Sequence, residues 1–184
     1  NGNVASYTDG EYNTYEYGYT NDQLTSVTDP LGKKTSYGYN PTSRLLETVT
    51  TPRGKTTTYA YYADGSLKSV TTPQGYRTSY TYDPASDGTT SVTDPDGNTS
   101  TFTYDAAGDQ TSATDPDGDT TRATYNTFGE PLTVTDANGV TTTNTYDSAG
   151  NALSTSTPID ASRTATTSYA YGDQANPGSP TAIT

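Results

Sequence analysis

The sequence predicts an all-β chain: about seven β-hairpin repeats of 21–22 residues forming one extended antiparallel sheet. Three observations carry this. A glycine recurs at Gly10, Gly32, Gly54, Gly75, Gly97, Gly118 and Gly139, with spacings of 22, 22, 21, 22, 21 and 21. Seven residues after each stands a tyrosine, at Tyr17, Tyr39, Tyr61, Tyr82, Tyr104, Tyr125 and Tyr146. Self-similarity at a fixed period is the signature of a repeat architecture. Between these marks Thr and Tyr alternate, as at Thr35, Tyr37 and Tyr39 or Thr78, Tyr80 and Tyr82, which places each trio on one face of a strand.

Each repeat holds two strands and two turns. The first strand ends on the repeat tyrosine. The second ends in Val-Thr, as from Leu24 to Thr28 or Leu67 to Thr71, with a small apolar residue five before the glycine (Val27, Val49, Val70, Val92, Ala113, Val134). Asp-Pro-x-Gly then closes one hairpin, as at Asp29 and Asp94. Pro pre-sets φ, Asp accepts bonds from the turn's own backbone, and Gly supplies the positive φ. Asp105-Ala-Ala-Gly108, Asn126-Thr-Phe-Gly129 and Asp147-Ser-Ala-Gly150 close the other. The intervals from Val to Gly and from Gly to Tyr are constant. The one-residue variation therefore lies between Tyr and Val, where Asn40 to Arg44 and Asp83 to Gly88 form longer loops. Leu24, Leu46 and Leu67 stand three before the Val, the wrong parity for one face unless a bulge intervenes, and their orientation is open. After Tyr146 the pattern weakens: residues 1–171 read as the array and 172–184 as an irregular tail or junction.

Composition sharpens the reading. Leu, Ile, Val and Phe supply about a tenth of the 184 residues at net charge −12, a balance typical of disorder. The 18 tyrosines and the abundant Thr oppose it, because both suit a pleated surface. One repeat has too little apolar surface to fold alone, so stability must come from neighbours stacked along the array. The terminal strands are then edges, expected to pair with further repeats of the chain or with other copies of it.

The same composition narrows function. With no His and no Cys, no nucleophile–base pair is visible, and the chain is expected not to be an enzyme. Nine basic residues scattered among 21 acidic ones are the reverse of a nucleic-acid footprint. No apolar run approaches the ~20 residues of a membrane span.

Two sets of residues merit weighing as sites. Asp94 and Asp96, and Asp115, Asp117 and Asp119, place carboxylates two apart in the manner of calcium loops. A purely structural turn is the preferred reading, because other copies carry Leu31, Arg53 or Gln74 at the third position and Thr51 or Thr72 in front. Calcium stays as the alternative, and no other cofactor is expected. Tyr12, Tyr15, Tyr17 and Tyr19 form the densest aromatic cluster and are the candidate carbohydrate platform, against the plainer reading that rings at repeat spacing pack on one another.

The unit as a whole, an aromatic, Tyr-Asp, a polar turn, then Ser/Thr-Val-Thr-Asp-Pro-x-Gly-x-x-Thr, resembles the YD repeats of the Rhs family. The likeness is closest at Tyr104-Asp-Ala-Ala-Gly108, Tyr146-Asp-Ser-Ala-Gly150 and Leu24-Thr-Ser-Val-Thr-Asp-Pro-Leu-Gly32. It implies a spiralling β-strip, a wall segment of a shell that encloses or displays another module such as a toxin. It also implies a secreted, extracellular or cell-surface setting. The alternative is an extracellular fibre or adhesin that contacts cell-surface glycans through exposed tyrosines. Thr89, Gln110 and Pro131 stand where the family has Leu, and no segment resembling the family's self-cleaving core is visible, so closing and cutting functions are not carried over.

Overall fold

The computed structural model describes residues 2–173 and 178–184. Among the described residues there is no helix. The strands are β1 (Ser6–Thr8), β2 (Thr14–Thr20), β3 (Gln23–Thr28), β4 (Lys34–Tyr39), β5 (Leu46–Thr50), β6 (Thr56–Tyr61), β7 (Leu67–Thr71), β8 (Arg77–Tyr82), β9 (Thr89–Thr93), β10 (Thr99–Tyr104), β11 (Gln110–Thr114), β12 (Thr120–Tyr125), β13 (Pro131–Thr135), β14 (Thr141–Tyr146), β15 (Ala152–Pro158), β16 (Thr164–Ala170) and β17 (Ala182–Ile183). The chain forms two compact units, Asn1–Tyr80 with Thr93–Gly97, and Thr81–Val92 with Asn98–Thr184. Within the first, β1 to β8 pair antiparallel in chain order. Within the second, β10 to β17 do the same. This is the all-β antiparallel array that the repeat predicts.

The turns show why Asp and Gly recur. Asp29 Oδ1 accepts the amides of Leu31 (2.9 Å) and Lys33 (2.8 Å), the Gly32 amide returns to the Asp29 carbonyl at 2.9 Å, and Gly32 takes φ +74°. This is a tight turn closed by a left-handed residue, a connection whose twist suits a hairpin. Asp115 and Asp136 repeat it, as do Asp105, Asn126 and Asp147 in the hairpins that follow the repeat tyrosine. Thr51, with a shorter side chain, holds only the Lys55 amide, at 3.2 Å.

The first hairpin departs from the expected register. Its carboxylate is Asp9, which accepts the amides of Glu11 and Asn13, so Gly10 occupies the place of Pro30 and the left-handed residue is Tyr12, at φ +64°. The tyrosine seven residues beyond the left-handed position is consequently Tyr19, not Tyr17. Tyr19 lies opposite Leu24, as Tyr39 lies opposite Leu46 and Tyr61 opposite Leu67. Spacing from Gly10 to Gly32 matched the repeat while the turn itself sat two residues later, because the chain tolerates a non-glycine in that conformation at Tyr12.

Bulges settle the orientation of the leucines. Gly18 faces Ser26 while Tyr19 faces Leu24, leaving Thr25 as the extra residue; Glu47, Lys68, Thr111, Leu132 and Leu153 hold the same place in later hairpins. One extra residue reverses the parity, so Leu24 and Val27 share a face with Tyr17 and Tyr19. That face is built of cross-strand rows: Tyr17–Val27–Thr35, Tyr37–Val49–Thr57 and Tyr59–Val70–Thr78 in the first unit. In the second unit the rows lose apolar character, becoming Phe102–Ala113–Thr121, Ala123–Val134–Thr142 and Asn144–Thr155–Thr167. The opposite face carries small residues, among them Ser26, Ser36, Thr48, Thr58, Ser69 and Ser79.

No apolar side chain is buried among the described residues, and the one buried polar residue is Ser69, 4% exposed. Each unit is therefore a single layer. Its order rests on the ladder, on contacts along each face and on the turns. In the stretch expected as a tail, β17 pairs with β16, Tyr169 facing Ile183, while residues 174–177 of that stretch lie outside the described residues.

Candidate functional site

Charge is exiled from the strands of the second unit. Arg122 is the only charged residue in β9 to β16, and the acids sit in the turns. Residues 1–80 hold seven of the nine basic residues, Lys33, Lys34, Arg44, Arg53, Lys55, Lys68 and Arg77, against seven acids. The remaining stretch holds two basic residues against 14 acids. Between the turns the second unit presents hydroxyls that bond one another across strands, as Thr103 with Ser112, Thr124 with Thr133 and Thr145 with Ser154.

Of the carboxylates considered for calcium, those of Asp94 and Asp115 are engaged in their own turns. Asp94 Oδ1 accepts the Asp96 amide at 2.9 Å, and Asp115 Oδ1 accepts those of Asp117 (3.0 Å) and Asp119 (2.9 Å). Asp96, Asp117 and Asp119 are exposed. Among the described residues no three carboxylates converge in a way that could hold a metal. Asp115 and Asp119 border a cleft of about 350 Å³ that Phe102 also lines. Several turn carboxyls are held below their ordinary value by the bonds they accept. For Asp9 and Asp147 the largest cause is the side chain of Asn13 and Asn151 respectively; for Asp64 it is the Ser66 side chain, and for Asp83 the Ser86 amide. Asp160, gripped by the Arg163 guanidinium, is lowered to about 2.

Of the tyrosines considered for carbohydrate, Tyr15, Tyr17 and Tyr19 alternate along β2 and so share a face, with Tyr7 opposite Tyr15. Tyr12 stands in the turn, 89% exposed.

Four of the repeat tyrosines have a definite partner. The Tyr61 hydroxyl donates to the Leu46 carbonyl (2.9 Å), Tyr104 to Thr89 (2.9 Å), Tyr125 to Gln110 (2.8 Å) and Tyr146 to Pro131 (3.0 Å), each 15 residues back. Tyr171 closes the same bond to Ala152 at 2.8 Å. The carbonyl belongs to the residue just before the bulge, where the strand peels from the regular ladder. Each hydroxyl thus latches one repeat to the one before it. Burial raises the Tyr61 and Tyr146 hydroxyls above their ordinary value, with the Glu130 charge adding to the effect at Tyr146. The latch was hidden from sequence reasoning because any residue can offer the carbonyl.

Clefts open between successive loops of the first unit. One of about 730 Å³ lies between the loop after Tyr39 and the turn after Tyr61, lined by Tyr59, Tyr61, Tyr62, Glu47, Asp64 and Asn40 among others. A second, of about 510 Å³, lies one repeat earlier, beside Tyr37, Tyr39 and Arg44. Sequence reasoning missed both, although Tyr62 was a signal: it stands where five other hairpins of this kind begin with Asn40, Asp83, Asp105, Asn126 or Asp147.

A model of the RHS repeat matches residues 19–56, 86–120 and 125–158. No curated protein matches the chain. Among solved structures, the crystal structure of TcdB2-TccC3-Cdc42 superposes with a TM-score of 0.65 at 16% identity, over 88% of this chain and 10% of that one. TcdB2-TccC3 gives 0.64 at 17% identity, over 86% and 10%. The pore form of the Photorhabdus luminescens Tc holotoxin gives 0.65 at 16%, over 89% and 10%. The likeness is one of fold, and this chain spans about a tenth of the length of those proteins.

Proposed function

The chain belongs to the RHS repeat family, and from that membership we propose that it is a stretch of wall: a strip of sheet that, continued by further repeats, encloses or displays another module such as a toxin. The observation that carries the reading is the single layer itself. No apolar side chain is buried among the described residues, yet Tyr61, Tyr104, Tyr125, Tyr146 and Tyr171 latch their hairpins to the strand before. Such a sheet gains order by lateral continuation and offers two broad surfaces, which suits a partition better than a reaction centre. Solved structures sharing this fold are parts of Tc toxin complexes, and one lacks a hypervariable C-terminal region. By that analogy the enclosed module lies elsewhere in the polypeptide that carries this wall, and the setting is extracellular.

Limited proteolysis of the polypeptide carrying this segment, read beside electron cryomicroscopy of the same sample, tests the proposal. A module resistant to protease while the sheet is intact, with density inside a closed wall, is the expected result. A straight strip with every other module cleaved at the rate of the free domain would favour the fibre or adhesin instead.

A further inference from the structure

Tyrosine is where this chain meets an oxidant. It holds 18 tyrosines and no Cys, Met, Trp or His, so the side chains that compete with phenols for oxidising equivalents are all missing. Covalent reinforcement is missing as well. A disulfide needs cysteine, and no apolar side chain is buried among the described residues. Domains with so little core commonly gain stability from a cross-link.

The first hairpin brings two phenols face to face. Tyr7 of β1 and Tyr15 of β2 are direct cross-strand partners, the one such pair of tyrosines in the ladders of the two units. The backbone on either side of the pair is pinned: the Tyr17 amide donates to the Ala5 carbonyl at 2.9 Å, and the Asp9 amide to the Asn13 carbonyl at 3.0 Å. Residues paired in this way stand about 5.5 Å apart at Cα, with both side chains on one face. Same-face tyrosines along one strand, such as Tyr37 and Tyr39, stand about 6–7 Å apart, and the tyrosines that latch successive repeats about 10 Å. Access favours the first hairpin too. Tyr7 is 56% exposed, whereas Tyr37 and Tyr39 are half-buried. Tyr12 and Tyr76 are at least as exposed as Tyr7, but both lie outside the strands with no tyrosine opposite.

We infer that Tyr7 and Tyr15 form a dityrosine cross-link when the chain meets a haem peroxidase and hydrogen peroxide. Each phenol gives one electron to the oxidised haem and its hydroxyl proton to solvent. The two phenoxyl radicals join at the ring carbons ortho to oxygen, and the ortho hydrogens pass to the oxygens, which restores two phenols around one new carbon–carbon bond. Hydrogen peroxide takes up the two electrons and two protons and leaves as two waters. The link staples β1 to β2 in the hairpin whose turn carries the left-handed Tyr12 and whose β1 strand is exposed along its whole length. The inference does not depend on the wall being part of a shell.

The experiment oxidises the 184-residue chain at micromolar concentration with a haem peroxidase and limiting hydrogen peroxide, and reads dityrosine fluorescence, intact mass and cross-linked peptides. The expected product is a monomer lighter by two hydrogen atoms, with the Tyr7–Tyr15 link in about tenfold excess over any other pair, because reactants held together act at a high effective concentration. Tyr7→Phe and Tyr15→Phe should each remove that product while circular dichroism stays unchanged. Tyr12→Phe and Tyr76→Phe, which delete phenols at least as exposed as Tyr7, should leave it in place. Oxidising the parent in urea should reduce the excess, since the strands no longer hold the pair. The inference is overturned if no cross-link forms, if links join separate chains only, if they spread evenly over the tyrosines, or if urea leaves their distribution unchanged.

Discussion

Removing the repeat hydroxyls one atom at a time isolates the latch from the ring that carries it. Tyr104→Phe keeps the aromatic surface and deletes the donor to the Thr89 carbonyl, 2.9 Å away. An intramolecular hydrogen bond of this kind contributes about 0.5–1.5 kcal/mol net, with water able to reach a half-exposed carbonyl and hold the loss toward the middle of that range. For a chain of 150–250 residues each kcal/mol moves Tm by about 2–4 °C, so the single variant should melt about 2–4 °C low. Tyr61, Tyr104, Tyr125 and Tyr146 occupy separate repeats, two strands or about 10 Å apart at the nearest. At that distance losses are close to additive, and the fourfold Phe variant should lose about 4 kcal/mol and about 8–16 °C. Differential scanning calorimetry on the parent, the single and the fourfold variants reads this directly. Tyr7→Phe is the control, since Tyr7 is 56% exposed and its hydroxyl holds no carbonyl among the described residues. A fourfold variant melting within about 1 °C of the parent, or a Tyr7→Phe loss as large as that of Tyr104→Phe, would refute the latch as a stabilising element.

The latch hydroxyl donates only while protonated, and burial raises Tyr61 and Tyr146 above the ordinary 10.0, so this stability is present below pH 10 and lost as pH rises through the higher folded values. Alkaline titration followed by circular dichroism should show that loss in the parent and a flatter curve in the fourfold Phe variant. The lowered carboxyls act at the other end of the scale. Their contribution is present above the ordinary 3.8 and disappears as pH falls through the folded values, to about 2 for Asp160. Asp147→Asn, which keeps the acceptor that Asn126 uses in the same place, should preserve the melting temperature at pH 7 and reduce the loss on acidification, whereas Asp147→Ala should lower it at both. Tyr12 holds φ +64°, a conformation costing a side-chain-bearing residue roughly 1–2 kcal/mol, so Tyr12→Gly should raise stability by about 0.5–1 kcal/mol in urea titration once the extra freedom of unfolded glycine is deducted. A lower midpoint in that variant would mean that the exposed Tyr12 ring makes a contact worth more than the strain.

The strands and most turns were legible because each depends on residues close in sequence. Asp at the head of the turn and Gly at its left-handed position are read by the backbone within five residues, so their spacing exposes them. The first hairpin was misregistered because its two marks separated: Asp9 began the turn while the left-handed place fell to Tyr12, and Gly10 supplied a decoy. The leucines were ambiguous for a related reason, since Thr25, Glu47 and Thr111 share no side-chain property that announces a bulge. Candidate sites were harder still. Asp94 and Asp115 look like ligands in sequence and are turn acceptors in space, while Glu47 and Asp64, 17 residues apart, share a cleft that local pattern does not show.

The latch also bears on how such a sheet is made. Every described ladder joins chain neighbours, and Tyr61, Tyr104, Tyr125 and Tyr146 each reach back only 15 residues. All-β proteins usually fold slowly because strands distant along the chain must find each other before any contact rewards the search. Here the mean separation of partners gives a relative contact order of roughly 0.1 or below, a value more common among helical bundles. A ribosome emitting about 5–20 residues per second would release each new tyrosine one to four seconds after the last, and its carbonyl partner would already be in place. The growing end could therefore set strand by strand as it leaves the tunnel, with at most one unfinished hairpin exposed to aggregation at any moment.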